Sequence, residues 1–240
     1  EVRMGQREPV ADVARVLSSY VHAAVLRTFE QSTIEEFARY ASVPVINGLS
    51  GKHHPCQALA DVFTITEELR ETSSQTTIAY IGDGNNVAHS LMQGAIKMGW
   101  CIRLATPPGF EPDAALVSAA RREALVLGAN LTLTSDPQSA AEGADVLYTD
   151  VWTSMGQEGE AEKRRALFAP YRIDDRLLAL AVPHAIVLHP LPAHRGEEIA
   201  AEVLDGPQSR VFAQAENRLH AQKALLRTLL AADARASRSA

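Results

Sequence analysis

The sequence predicts an α/β protein: two α/β domains with parallel sheets flanked by helices, the final helix packing back on the first domain. Three observations carry this reading. The apolar residues switch repeatedly between helical spacing and short continuous runs, so helices and buried strands alternate along the chain. Strands that alternate with helices imply right-handed βαβ units and a parallel sheet covered on both faces. The chain has 240 residues, 46% apolar and 22% charged, which is enough to bury one large core or two small ones and excludes general disorder or a fibrous repeat.

The elements follow in order. Pro9 to Tyr20 reads as a helix with Val13, Val16 and Leu17 on one face. Ala23–Leu26 is a short buried strand. Ser32-Thr33-Ile34-Glu35 has the form of a capping box, opening a helix with Ile34, Phe37, Ala38 and Ala41 at helical spacing. Val43–Ile46 is the next strand, Asn47 to His54 a loop, and Pro55 a first-turn proline for a helix to about Leu69. The polar stretch Glu71–Thr76 is the candidate domain boundary. Beyond it come strands Ile78–Ile81, Cys101–Ala105, Leu131–Thr134, Val146–Tyr148 and Ala185–Leu188. Helices fall between them at Val87–Met98, Pro112–Leu127, Pro137–Ala141, Ala161–Phe168 and Asp174–Leu180, with a last helix from about Glu216 to Leu230. The expected division is 1–70, 71–215 and a returning helix 216–240.

Lys+Arg total 23 and Asp+Glu 29, a net charge of −6, which argues against nucleic acid or an anionic membrane as the main partner. Two cysteines, Cys56 and Cys101, make no disulfide framework and suit a reducing, cytoplasmic setting. No apolar run reaches the ~18 residues of a membrane span, and the opening residues are not those of a signal peptide. The histidines and cysteines do not show zinc spacing, so neither a metal nor a cofactor is expected.

Ligands of open parallel sheets bind beyond the carboxyl ends of the strands, so the loops there hold the candidates. Arg27 ends the first strand and is either a ligand group or a surface charge. His54 and Gln57 bracket a helix start, which favours an anion or a polarised carbonyl; a capping role is the alternative. Cys56 reads as a small buried hydrophobe. Gly82-Asp83-Gly84-Asn85-Asn86 departs from the dinucleotide fingerprint at Val87, yet offers amides and carboxamides, Asn86 among them, to a small zwitterion. Asp150, at a strand end with Ser154 beyond it, could hold an ammonium group or be a solvated acid. His189-Pro190-Leu191-Pro192 is a stiffened loop in which Pro190 has no N–H. Arg218, placed at the start of the last helix, is disfavoured there by the helix dipole and so needs an anionic or carbonyl partner.

Taken together, four blocks resemble the ornithine carbamoyltransferases: His-Pro-Cys-Gln-Ala-Leu-Ala-Asp at 54–61, Gly-Asp-Gly-Asn-Asn-Val-Ala-His-Ser at 82–90, Asp-Val-Trp-Thr-Ser-Met-Gly-Gln-Glu at 150–158 and Ala-Glu-Asn-Arg at 215–218. The likeness runs from Gly5 to about Leu230. It implies carbamoyl transfer from carbamoyl phosphate to L-ornithine, giving citrulline and phosphate, in a homotrimer or higher homo-oligomer. By resemblance, Arg27, His54 and Arg218 polarise the carbonyl and Gln57 holds the carbamoyl amide. Asn86, Asp150, Ser154 and the Met155 backbone grip the α-amino and carboxylate groups of ornithine. Asp150 is counted with the catalytic set. Leu191 offers its carbonyl and is counted with both the carbamoyl phosphate and the ornithine residues, Pro190 with the ornithine residues, and a cis bond is expected between Leu191 and Pro192.

Two departures stand out. Pro190 occupies the place of a family cysteine. The aspartate-using relatives share His-Pro-Leu-Pro but follow it with an arginine; Ala193 stands here, which disfavours aspartate. The family's Ser-x-Arg-Thr-Arg phosphate motif lies upstream of Gly5 and does not occur in these 240 residues, so part of the carbamoyl phosphate domain is expected to be missing. The alternatives are a sibling enzyme using putrescine or N-acetylornithine, and a non-catalytic amino-acid-binding protein.

Overall fold

The structure, a computed structural model, describes residue 5 and residues 7–153 and 158–236. Two parallel sheets organise it. The first has two strands, β1 (Ala24–Arg27) and β2 (Val45–Leu49). It is flanked by α1 (Val10–Ser18), α2 (Gln31–Tyr40) and α3 (Pro55–Leu69). The second has five, in the order β5-β4-β3-β6-β7: β3 (Thr77–Ile81), β4 (Cys101–Ala105), β5 (Asn130–Thr134), β6 (Val146–Tyr148) and β7 (Ile186–Leu188).

All its pairings are parallel, and β3 has β4 on one side and β6 on the other. Strand order therefore reverses at β3, which opens a crevice beyond the carboxyl ends of β3 and β6. Helices α4 (Asn86–Lys97), α5 (Ala114–Leu127) and α6 (Pro137–Ala141) follow β3, β4 and β5. Short helices α7 (Ala161–Phe168) and α8 (Asp175–Leu178) lie between β6 and β7, and α9 (Ala201–Leu204) comes after β7. A long helix α10 (Val211–Ala236) then lies along α3.

The core explains the pattern. Every residue of β3, β6 and β7 is buried, as continuous apolar runs covered on both faces require. Ile78, Tyr80, Ile102 and Leu104 pack with Leu91, Met92 and Trp100 on one side. On the other side, Ala79, Ile81 and Val187 meet Ile173, Ile199 and Val211. Each buried valine, leucine, isoleucine or methionine among them stabilises the fold by roughly 1.5–3 kcal/mol.

Several local expectations are corrected. Ser32 does not cap α2. The helix starts at Gln31 after Glu30, and the Gln31 side chain is engaged by Glu35, Asn47 and Ser50, so the entry is pinned two residues earlier. The inward stripe of α1 is Val10, Val13 and Ala14. Val16 and Leu17, beyond the edge of that contact, are exposed. The second strand runs on to Leu49, inside the expected loop. The last helix starts at Val211, not Glu216. The short α9 was not expected, since four residues carry too little periodicity to detect. Pro55 opens α3 as expected.

Candidate active site

A cavity of about 690 Å³ lies where the carboxyl ends of both sheets face each other. Of the expected site residues it is lined by Arg27, His54, Asn86, Asp150, Pro190, Leu191 and Arg218. Residues from six separate segments thus meet in one place. Ser154 and Met155 lie outside the described residues. Gln57 is buried just behind the lining, and its Oε1 accepts from Arg218 Nη1 at 2.6 Å.

One wall carries the cations. Arg27 is the last residue of β1 and is exposed. Arg218 lies well inside α10, so the helix dipole has no part in its placement, contrary to expectation. His54 immediately precedes α3. Its loop is fastened from across the crevice by three side chains of α4 spaced i, i+3 and i+4, hence on one helix face. Asn86 Nδ2 donates to Ser50 O at 2.7 Å, His89 Nδ1 to Lys52 O at 2.9 Å, and Ser90 Oγ accepts from His54 N at 2.7 Å. His89 Nε2 accepts from Asp113 N, which assigns the His89 proton to Nδ1. Burial, then the nearby Arg218 and Arg27 guanidinium groups, lower His54 to about 4, so it is neutral at physiological pH. Its Nδ1 is buried without a partner among the described residues.

The other wall carries acids held by donors. The turn after β3 is tight because Gly84 passes against another segment: a Cβ there would lie 2.4 Å from Pro112 N. Gly84 N also donates to Phe110 O at 2.9 Å. Asn85 caps α4 through Oδ1, accepting from Val87 N and Ala88 N. Its Nδ2 donates to Asp150 Oδ2 at 2.8 Å, while Val151 N donates to Asp150 Oδ1. Burial raises Asp150; the His189 ring and the Asn85 bond oppose the rise. Asp83 is paired with Arg164, whose guanidinium also lies over the Phe110 and Phe168 rings. Burial pushes Asp83 up to about 6 against the pull of Arg164.

The third edge is the loop after β7. His189 Nδ1 accepts from Leu191 N at 2.9 Å, so the ring proton sits on Nε2 and donates to Glu198 Oε1 at 3.1 Å. The Leu191–Pro192 bond is cis, and Leu191 has a φ of 56°. A leucine in that region is strained, and such strain gathers at functional positions. Asp83, Arg164, His89 and Ser90 were not singled out from sequence, and Asn85 only as one of the two carboxamides of its turn. Only the polar i, i+3, i+4 face of α4 could have signalled two of them.

Comparison with known proteins adds the decisive observation. Residues 74–229 match the Asp/Orn binding domain of the aspartate/ornithine carbamoyltransferases, and residues 1–67 match their carbamoyl-P binding domain. The chain belongs to the aspartate/ornithine carbamoyltransferase family. The ornithine carbamoyltransferase of Bacillus subtilis is 54% identical over 230 residues, covering 96% of this chain and 72% of that protein. That of Thermosynechococcus vestitus is 56% identical over 229 residues, covering 95% and 73%. The solved ornithine carbamoyltransferase from Pyrococcus furiosus superposes with a TM-score of 0.91 at 49% identity, covering 96% of this chain and 73% of that one.

Proposed function

We propose that the chain transfers the carbamoyl group of carbamoyl phosphate to the side-chain amine of L-ornithine, giving L-citrulline and phosphate. The observation that carries this reading is the single cavity in which Arg27, His54 and Arg218 face Asp150, Asn86 and the Pro190–Leu191 backbone.

The chemistry follows from the walls. The neutral amine attacks the carbonyl carbon, a C–N bond forms, and negative charge gathers on the carbonyl oxygen. Arg27, Arg218 and a neutral His54 ring stabilise that oxyanion, the largest electrostatic contribution such a site makes. As the oxyanion collapses, the C–O bond to phosphate breaks and phosphate leaves with the bonding pair. The nitrogen loses a proton, which the leaving phosphate can accept. Gln57 accepts from the carbamoyl amide. The Pro190 and Leu191 carbonyls orient the amine, while Asp150 takes the α-ammonium in a charge-assisted hydrogen bond. Asn86, Ser154 and Met155 hold the rest of the amino-acid end. Holding both substrates in this geometry supplies much of the rate.

The finer assignments belong to the same proposal. A homotrimer or higher homo-oligomer suits the exposed Val16, Tyr20, Val25 and Phe29 on the first half. A cytoplasmic setting suits two free cysteines. Among the described residues no helix is long and apolar enough to cross a membrane.

The test is an acceptor panel with carbamoyl phosphate as donor: L-ornithine, putrescine, N-acetylornithine and L-aspartate, with product mass as readout. Carbamoylation of ornithine above the other three supports the reading. Preference for putrescine or N-acetylornithine transfers it to a sibling reaction.

A further inference from the structure

The block at 54–61 ends in Asp61, an acid with no role in the chemistry above. It is 0% exposed and sits where three elements meet. Its Oδ1 accepts from Gln57 Nε2 at 2.8 Å on α3 and from Gln214 Nε2 at 2.6 Å on α10. Its Oδ2 accepts from the Tyr148 hydroxyl at 3.0 Å at the end of β6. Each partner leads to the cavity. Gln57 Oε1 accepts from Arg218. Gln214 Oε1 accepts from His189 N at 2.9 Å, the residue before Pro190. Tyr148 is two residues before Asp150.

We propose that Asp61 is a positioning residue: its carboxylate locks the Gln57 amide with the nitrogen inward and the oxygen toward Arg218 and the carbamoyl amide. This rests on the carbamoyl-transfer reading. A primary amide is nearly symmetric in shape, and only its partners decide which end faces a ligand. A carboxylate offers acceptors only, so it takes the nitrogen end and leaves the oxygen for the site. Reversed, Gln57 would point N–H groups at the Arg218 guanidinium and at a substrate N–H, two donor–donor clashes. Three donors converge on the carboxyl, the pattern of an ionised acceptor, and they oppose the burial that pushes Asp61 up to about 6. Such a group is costly to bury, and three donors converging on it offset that cost.

The test is a double-mutant cycle on the whole chain with Asp61→Asn and Gln57→Ala. It reads affinity for phosphonoacetamide, a stable amide-bearing analogue of carbamoyl phosphate, by calorimetry, and thermal midpoints alongside. Asp61→Asn is expected to weaken binding about 10-fold or more, the usual effect of losing a hydrogen bond to a charged group. In the Gln57→Ala background the same substitution should change it less than about 2-fold, because coupled groups are non-additive. Equal losses in both backgrounds overturn the proposal, as does an unchanged affinity in Asp61→Asn. Wild-type protein that fails to bind phosphonoacetamide also overturns it. If Asp61→Asn does not fold, Asp61→Ser carries the same expectation. Wild-type binding without citrulline formation would remove the transferase reading and leave this cycle to judge Asp61 separately.

Discussion

The strands beneath the Asp150 wall, β3 and β6, are buried along their whole length, whereas β1 beneath the Arg27 wall alternates half-buried and exposed residues. The side chains follow their foundations. Asp83 and Asp150 sit low in the crevice and each is held by fixed donors: Arg164 for one, Asn85 and Val151 N for the other. Arg27 is exposed and Arg218 only half-buried on a helix that joins the first half late in the chain. The difference has a physical cause. A carboxylate taken out of water must be paired, so the acid wall needs a rigid sheet to hold its donors in place. A guanidinium keeps its charge whatever its surroundings and can stay near solvent until a substrate anion arrives. On the proposed function, one wall is preorganised for an amino acid and the other is charged for an anion and a developing oxyanion.

Breaking one wall at a time tests this division. The largest effect is expected from Arg218→Gln. Turnover should fall about 100- to 1,000-fold, the usual effect of removing one oxyanion-stabilising group. Ornithine affinity measured by calorimetry should stay within about 2-fold of wild type, because the change is on the opposite wall. Asp150→Asn is the converse. Ornithine binding should weaken by about 10- to 100-fold as a buried charge-assisted bond is lost, with phosphonoacetamide binding retained.

The comparison also sets out what could be read from sequence. The parallel five-stranded sheet was legible because buried strands are continuous apolar runs and the turns between them carry proline, glycine or polar clusters. Helix α3 was legible at its first residue because Pro55 fits only a first turn. The cavity lining was legible where it follows a strand: Arg27, Asn86, Asp150 and the Pro190–Leu191 pair. The supports were not. Asp83 and Arg164 are 81 positions apart, and Asp61 and Gln214 are 153 apart; no local pattern signals such pairs. Ser32 misled because a capping box needs only Ser and Glu at the right spacing, while the Gln31 side chain, tied to Ser50 and Asn47, decided where the helix begins. Arg218 lines the cavity, but not for the reason read from sequence, since its helix starts at Val211, earlier than the sequence suggested.

Smaller effects sharpen the same contrast. His54 in the unfolded chain takes up a proton near its ordinary value of 6.5, and in the fold only near 4. The unfolded state therefore binds more protons between these values, so this group makes stability fall as pH drops from 6.5 towards 4. Asp61 and Asp83, raised to about 6, act with the opposite sign between about 6 and their unfolded value of 3.8. Denaturant melts of wild type and His54→Gln from pH 7 to pH 4 isolate the histidine. The difference in stability between the two proteins should shift steadily in favour of His54→Gln as the pH falls. The smallest effect is expected from Ser90→Ala, which removes the acceptor for His54 N. Stability should drop by about 1 kcal/mol, and turnover should decline while ornithine affinity holds. A matching loss of ornithine affinity would show that the α4 fastening serves both walls.

The division of labour predicts chemistry only when both walls are filled. The most direct measurement is ¹³C NMR of carbamoyl-labelled carbamoyl phosphate mixed with the protein and L-ornithine. The account predicts label appearing in the ureido carbon of citrulline, about 100- to 1,000-fold more slowly in Arg218→Gln and not at all when ornithine is omitted. Ornithine bound with wild-type affinity while the label passes only to water or stays on phosphate would contradict it.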